Sequence, residues 1–255
     1  MSVESAVVAR LRAAGCVFAE DEARLLLATK RSPGELTALV DRRVAGEPLE
    51  HLLGWVEFCG LRIAVSPGVF VPRRRTEFLV RQAIGRAAPG AVVVDLCCGS
   101  GAVGVAVATT LGSVELHAAD VDPAAVACAR RNVAAVGGSV HEGNLFEALP
   151  ADLRGRVDVL VANVPYVPTD AIPRMPPEAR DHEPRVALDG GTDGLAVARR
   201  LVAGATAWLA PGGSLLFETS EGQAPAAVAA VSAAGLAPSV VSDDEVGATV
   251  VGGTA

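Results

Sequence analysis

The sequence predicts a doubly wound α/β domain on a mostly parallel, seven-stranded sheet, preceded by a small all-helical N-terminal domain and a β-hairpin linker. Three observations carry this. From residue 91 onward, short Val-rich runs alternate with Ala-rich or amphipathic stretches, as in a sheet covered by helices on both faces. Before residue 51, apolar residues recur at helical spacing and no strand-like run intervenes. Between 52 and 72, apolar and polar residues alternate around Gly60 and Gly68, as in a hairpin. The expected boundaries are therefore 1–51, 52–72 and 73–255.

The elements follow in order. A first helix, 2–15, ends at Gly15. A second, 20–30, carries Glu20, Asp21 and Glu22 in its first turn and Lys30 in its last, as the helix dipole favours. A third, 32–46, opens on Ser32 as N-cap, Pro33 at the first position and Glu35 to complete a capping box. Parallel strands are expected at 91–96, 114–120, 139–144, 157–163 and 212–220. Helices are expected at 100–111, 122–137 (Asp122 as N-cap, Pro123 first), 192–210 and 221–235. Two last strands, near 238–243 and 246–252, are separated by acids and read as an antiparallel pair. Residues 167–191 lack periodicity and hold five prolines, so they read as a long functional loop.

Composition narrows the function. A hydrophobic content of 51% with 20% charged residues describes a globular protein with a large core. A net charge of −7 argues against broad nucleic-acid binding, which leaves a basic footprint. The Arg73-Arg74-Arg75 run is the one local exception. No apolar run approaches the roughly 18 residues of a spanning helix, and residues 1–15 do not read as a signal peptide, so a cytoplasmic protein without membrane contact is expected. The five cysteines and four histidines show no zinc spacing. The cysteines are expected to be reduced, and no metal is expected.

The first strand–helix junction, VVVDLCCGSGAVG, places Gly99, Gly101 and Gly104 in GxGxxG order. Asp120 ends the next strand. Glycines let the backbone turn tightly against a ligand, a helix N-terminus offers free N–H groups, and an acid at the second strand tip accepts ribose hydroxyls. That pattern suits NAD as well as other nucleosides. Asp95 inside the strand, and Cys97 and Cys98 between strand and glycines, distinguish the site from dinucleotide sites. The D-L-x-x-G-S-G form resembles the first motif of methyltransferases that use S-adenosylmethionine.

The fourth strand ends in Asn163-Val164-Pro165-Tyr166. An amide nitrogen is a poor nucleophile, because its lone pair is delocalised into the carbonyl. Two fixed acceptors, the Asn163 side-chain oxygen and the Val164 carbonyl, suit its two N–H bonds. Pro165 stiffens the turn, and Tyr166 offers a flat wall. The tetrapeptide resembles the Asn-Pro-Pro-Tyr motif of methyltransferases acting on planar NH2 groups, with Val164 in place of the first proline.

Together these stretches resemble the protein-(glutamine-N5) methyltransferases that modify peptide chain release factors. The segment 46–80 is similar to that family's hairpin and its Pro-Arg-x-x-Thr-Glu segment: Pro72, Arg73, Thr76 and Glu77 match, while Arg74 and Arg75 replace the usual proline and acid. The GNLFEAL segment resembles an adenine-reading Ser-Asp-x-Phe segment, with Asn144 in place of the acid. Residues 183–201 and 208–223 resemble the segments that follow the catalytic loop.

The resemblance implies a class I methyltransferase fold. It implies a cofactor site for S-adenosyl-L-methionine at Cys97, Cys98, Gly99, Ser100, Gly101, Asp120, Asn144, Leu145 and Asn163. It implies a catalytic and substrate site at Asn163, Val164, Pro165 and Tyr166, with Arg73, Thr76 and Glu77 beside it. The expected reaction is methyl transfer to a glutamine side-chain nitrogen of a protein, a class I release factor. Its Gly-Gly-Gln motif would be the acceptor, docked on the helical domain, with loop 167–191 as one wall that orders on binding. Three other readings compete. Adenine-N6 methylation of nucleic acid shares the acceptor geometry but lacks a basic groove here. An NAD-dependent oxidoreductase leaves Asn163 unexplained. A non-catalytic cofactor-binding relative is kept open by Val164.

Overall fold

A computed structural model describes residues 2–255. Four helices come first: α1 (Val3–Ala13), α2 (Ala19–Ala28), α3 (Pro33–Val44) and α4 (Leu49–Leu53). Ser32 and Glu35 form the reciprocal capping box that starts α3. The four helices enclose their own small core, with Leu11, Leu26 and Val40 fully out of solvent. Helix α4, too short to show a period in the sequence, spans one turn and ends on Gly54 in the left-handed region.

The linker is shorter as a hairpin than the alternation predicts. Strand β1 (Trp55–Phe58) pairs with β2 (Leu61–Ala64), and Leu52 and Leu53 belong to α4. Cys59 and Gly60 turn the hairpin, both with positive φ (51° and 71°), as a twisted two-residue connection requires. Asn132 pins this hairpin to the main domain: its amide pairs with both the N–H and the C=O of Ala64.

The main domain begins with α5 (Glu77–Ile84) and continues through β3 (Val92–Leu96), α6 (Ala102–Leu111), β4 (Glu115–Asp120), α7 (Pro123–Val133), β5 (Ser139–Glu142) and β6 (Val157–Ala162). After α8 (Pro177–His182) come α9 (Ala196–Ala205), β7 (Leu209–Thr219), α10 (Ala224–Ala233), β8 (Ala237–Asp243) and β9 (Ala248–Thr254). The seven strands lie in the order β5-β4-β3-β6-β7-β9-β8. Strand β9 is antiparallel to both neighbours, and the other pairings are parallel. This is a mixed, doubly wound, Rossmann-like sheet.

Every residue of β3 is buried, because helices cover both faces of a central parallel strand. One core layer joins the sheet to α5, α6, α7 and the hairpin; the other joins it to α9 and α10. The helix expected at 192–210 is half that length. It stops at Ala205 because Leu209 is already paired with Val157 as the first residue of β7. Residues 167–191 are more structured than their prolines suggest. They contain α8, and a bridge from Val167 to Asp189 folds the segment back on itself.

Candidate active site

Strand order reverses between β3 and β6, and a cavity of about 210 Å³ opens there at the carboxyl ends of β3, β4 and β6. Its first end is made of main chain. After Leu96 the chain turns through Cys97 (φ 55°), Gly99 (φ 55°) and Gly101 (φ 78°). Cys97 holds a conformation that costs a non-glycine residue about 1–3 kcal/mol. The loop is fixed from three sides: Cys98 N–H donates to Ala119 O (3.1 Å), Gly99 N–H to Asp120 Oδ2 (2.8 Å), and Asn132 Nδ2 to Ser100 O (2.8 Å).

Asp120 ends β4. Its two oxygens each accept one backbone N–H, from Gly99 and from Asp122 (2.9 Å), which leaves lone pairs on both. Burial pushes its carboxyl above the ordinary range. Asp95 is fully buried beneath the loop, accepts from Gly104 N–H at 2.8 Å, and burial pushes it up to about 7. Past β5, Asn144 and Leu145 line the cavity. Leu145 also has positive φ (50°) and is held by the next residue, Phe146, which stacks on Trp208 with ring centroids 5.7 Å apart. Gly204 in α9 makes room, since a Cβ there would meet Phe146 at 2.5 Å.

The second end is made of side chains. Asn163 follows β6 directly and lies 3.5 Å from Thr76 Oγ1 through its amide nitrogen, too long for a strong hydrogen bond. No described residue donates to Asn163 Oδ1 or to the Val164 carbonyl. The Tyr166 carbonyl is held by Gln223 Nε2 at 2.9 Å. Tyr166 Oη donates to Glu218 Oε1 (2.9 Å) and receives Arg75 Nη2 (2.6 Å). Arg73 pairs with Glu183 at 2.6 Å, and the other Glu183 oxygen accepts from Val71 N–H. Met175, Val186 and Leu188, from the 167–191 segment, complete this wall.

The cavity thus gathers Cys97, Cys98, Gly99, Ser100, Asp120, Asn144, Leu145, Asn163, Val164, Pro165, Tyr166, Arg73 and Thr76. Two expected site residues do not line it. Gly101 stands behind the loop, where its αL conformation starts α6 and a Cβ would meet Val133 Cγ2 at 2.9 Å. The Glu77 carboxylate accepts from Cys59 N–H at 3.0 Å and ties the hairpin turn to α5. Sequence reasoning passed over Phe70, Arg75, Glu218 and Gln223. All four stand inside segments that resemble the family, but nothing in those segments marks them for a site role; Arg75, Glu218 and Gln223 each meet Tyr166 only across long sequence distance. Among the described residues no cluster of His, Cys, Asp and Glu could hold a metal, and no helix is long and apolar enough to cross a membrane.

A strand-end cavity at the switch point of this seven-stranded sheet defines a class I methyltransferase. Solved structures agree at the level of fold: a methyltransferase from Pyrococcus furiosus (TM-score 0.58, 16% identity, 76% of this chain and 89% of that one), and the T. thermophilus 16S rRNA N2 G1207 methyltransferase in complex with AdoMet and guanosine (TM-score 0.56, 20% identity, 78% and 49%). Residues 60–174 match the family model of the methyltransferase small domain. The release factor glutamine methyltransferase of Geobacter sulfurreducens is 42% identical over 228 residues, which is 87% of this chain and 79% of that protein. The chain belongs to the family of release factor glutamine methyltransferases.

Proposed function

We propose that the protein transfers the methyl group of S-adenosylmethionine to the side-chain amide nitrogen of a glutamine in a protein, the Gly-Gly-Gln motif of a class I peptide chain release factor, in the cytoplasm. One observation carries the reading: the free Asn163 Oδ1 and Val164 carbonyl share one cavity with the Gly99 loop.

The first end fits the cofactor. Ser100 lines the cavity, and its Oγ is buried with no hydrogen-bond partner among the described residues, so the cradle has an unmet polar atom. Asp120 retains lone pairs for ribose hydroxyls, Asn144 an amide for the adenine edge, and Leu145 an apolar surface for its face. When bound, the cofactor supplies an electrophilic sulfonium methyl. The chain's own residues then do the positioning. Asn163 Oδ1 and the Val164 carbonyl accept the two N–H bonds of the glutamine amide and aim its lone pair. Valine serves here as well as proline, because the acceptor is main chain. Tyr166 confines the amide plane. Such transfer needs little acid–base help, and preorganised positioning supplies most of the rate.

The test is transfer from isotope-labelled S-adenosylmethionine to a purified class I release factor, read by mass spectrometry of the Gly-Gly-Gln peptide. One methyl on that glutamine, lost in Asn163→Ala, is the expected result. Cofactor binding without modification would remove the release-factor assignment. The same incubation with DNA and RNA tests the adenine-N6 alternative. Amide exchange in 167–191 should slow when an acceptor peptide binds; unchanged exchange would reject ordering of that wall.

A further inference from the structure

The acceptor chemistry above makes no use of Arg75, yet Arg75 joins two side chains from two other parts of the sheet. Its Nη2 donates to Tyr166 Oη at 2.6 Å and its Nε to Glu218 Oε1 at 3.1 Å. Tyr166 Oη donates to the same Glu218 oxygen at 2.9 Å, closing a triangle between the start of α5, the end of β6 and β7. The guanidinium carbon lies 5.8 Å from the tyrosine ring centroid. Glu218 is 2% exposed, and its second oxygen, Oε2, is buried with no partner. Among the described residues Arg75 is the one cation paired with that buried carboxylate.

We propose that Arg75 and Glu218 are positioning residues that lock the Tyr166 ring as the rigid wall of the acceptor end. The proposal rests on the acceptor-site reading above. A phenol hydroxyl has one proton to give and accepts readily. Here the proton goes to Glu218 and the acceptance to Arg75, so swinging the side chain out of the wall about χ1, which displaces Oη, must break two charge-assisted bonds.

Tyr166 is the only tyrosine, so its near-ultraviolet phenolate band reports this site alone. Burial and the Glu218 carboxylate push the phenol well above its ordinary range. In the wild type the band should emerge only with alkaline unfolding, followed by circular dichroism. In Glu218→Gln, with the negative charge gone, it should emerge earlier, while the dichroism is still native. With release factor as acceptor, Arg75→Ala and Glu218→Gln should each raise acceptor KM about tenfold, the scale of a charge-assisted hydrogen bond. Cofactor Kd should hold. Arg75→Lys should not rescue, since a lysine ammonium is a single compact charge and lacks the planar guanidinium that presents Nε to Glu218 and Nη2 to Tyr166 at once. In a Tyr166→Phe background, Arg75→Ala should cost little more. An unmoved phenolate band in Glu218→Gln, an unchanged acceptor KM in Arg75→Ala, or additive effects with Tyr166→Phe would each overturn the clamp. A wild type that methylates no release factor would sink the functional reading instead, and the titration, which needs no acceptor, would still decide the clamp.

Discussion

The two ends of the cavity are built differently. The Gly99 end, proposed for the nucleoside, is main chain from one stretch, residues 95–104, plus the tips of β4 and β5, and its strain sits in the positive φ of Cys97 and Leu145. The Asn163 end, proposed for the acceptor, is side chains brought together across the sheet: Arg73, Arg75, Thr76, Asn163, Tyr166, Glu183 and Glu218, with Arg73–Glu183 and Arg75–Glu218 as its ion pairs. Backbone is a generic instrument and suits a part common to many reactions. Side-chain pairs are replaceable one at a time, and suit the part that must distinguish one acceptor from another.

If the division is real, substitutions at each end should move different constants. Asn163→Ala should lower kcat about 10²–10³-fold, as removal of one transition-state contact does, with cofactor Kd nearly constant by calorimetry; equal loss of both would merge the two ends. Asp120→Ala should weaken cofactor binding by about ten- to a hundredfold, the cost of losing charged acceptors, and leave the acceptor KM within a few-fold. Gly101→Ala should touch neither chemistry directly. It forces a side chain into φ 78° against Val133, and should cost about 1–3 kcal/mol in urea unfolding.

A fourth prediction concerns pH. Burial raises the Asp95 carboxyl from 3.8 to about 7. Between those values the folded chain keeps a proton that the unfolded chain has lost. Stability therefore falls as pH rises through this window and levels off above it. Asp95→Asn keeps the oxygen for Gly104 N–H and carries no charge. Its stability should gain on the wild type from about pH 4 to 7 and hold the gain above. Parallel unfolding curves for the two proteins would assign the carboxylate no such role. The smallest effect belongs to Val164→Pro, which should change kcat only a few-fold, because the carbonyl remains.

This same division governs how far the sequence could be read. Gly99, Gly101 and Asp120 lie close in sequence, and their conformational demands leave a signature in residue type. Asn163 announces itself because an apolar strand has no other reason to end on an amide. The Arg75–Glu218 pair spans 143 residues with no periodic cue. Glu77 matches its motif, yet its carboxylate accepts from Cys59 N–H outside the cavity, since a carboxylate after a loop looks the same in sequence whether it faces a ligand or a turn. Helix α9 was overextended because Thr206 and Ala207 continue an apolar pattern that strand pairing at Leu209 interrupts. Helix α4 was invisible, being too short to show a period.

Strand β9 follows β8 in the chain yet lies between β8 and β7. During synthesis those two strands leave the ribosome before the strand that separates them. Glu218, the buried partner of Tyr166, is opposite Val250 of β9. The Gly99 loop and its neighbours β4 and β6 all precede β9 in the chain, whereas Glu218 gains its neighbour on that side only when β9 fills the gap. A chain ending before residue 248 would contain every residue of the Gly99 loop and no strand on that side of Glu218.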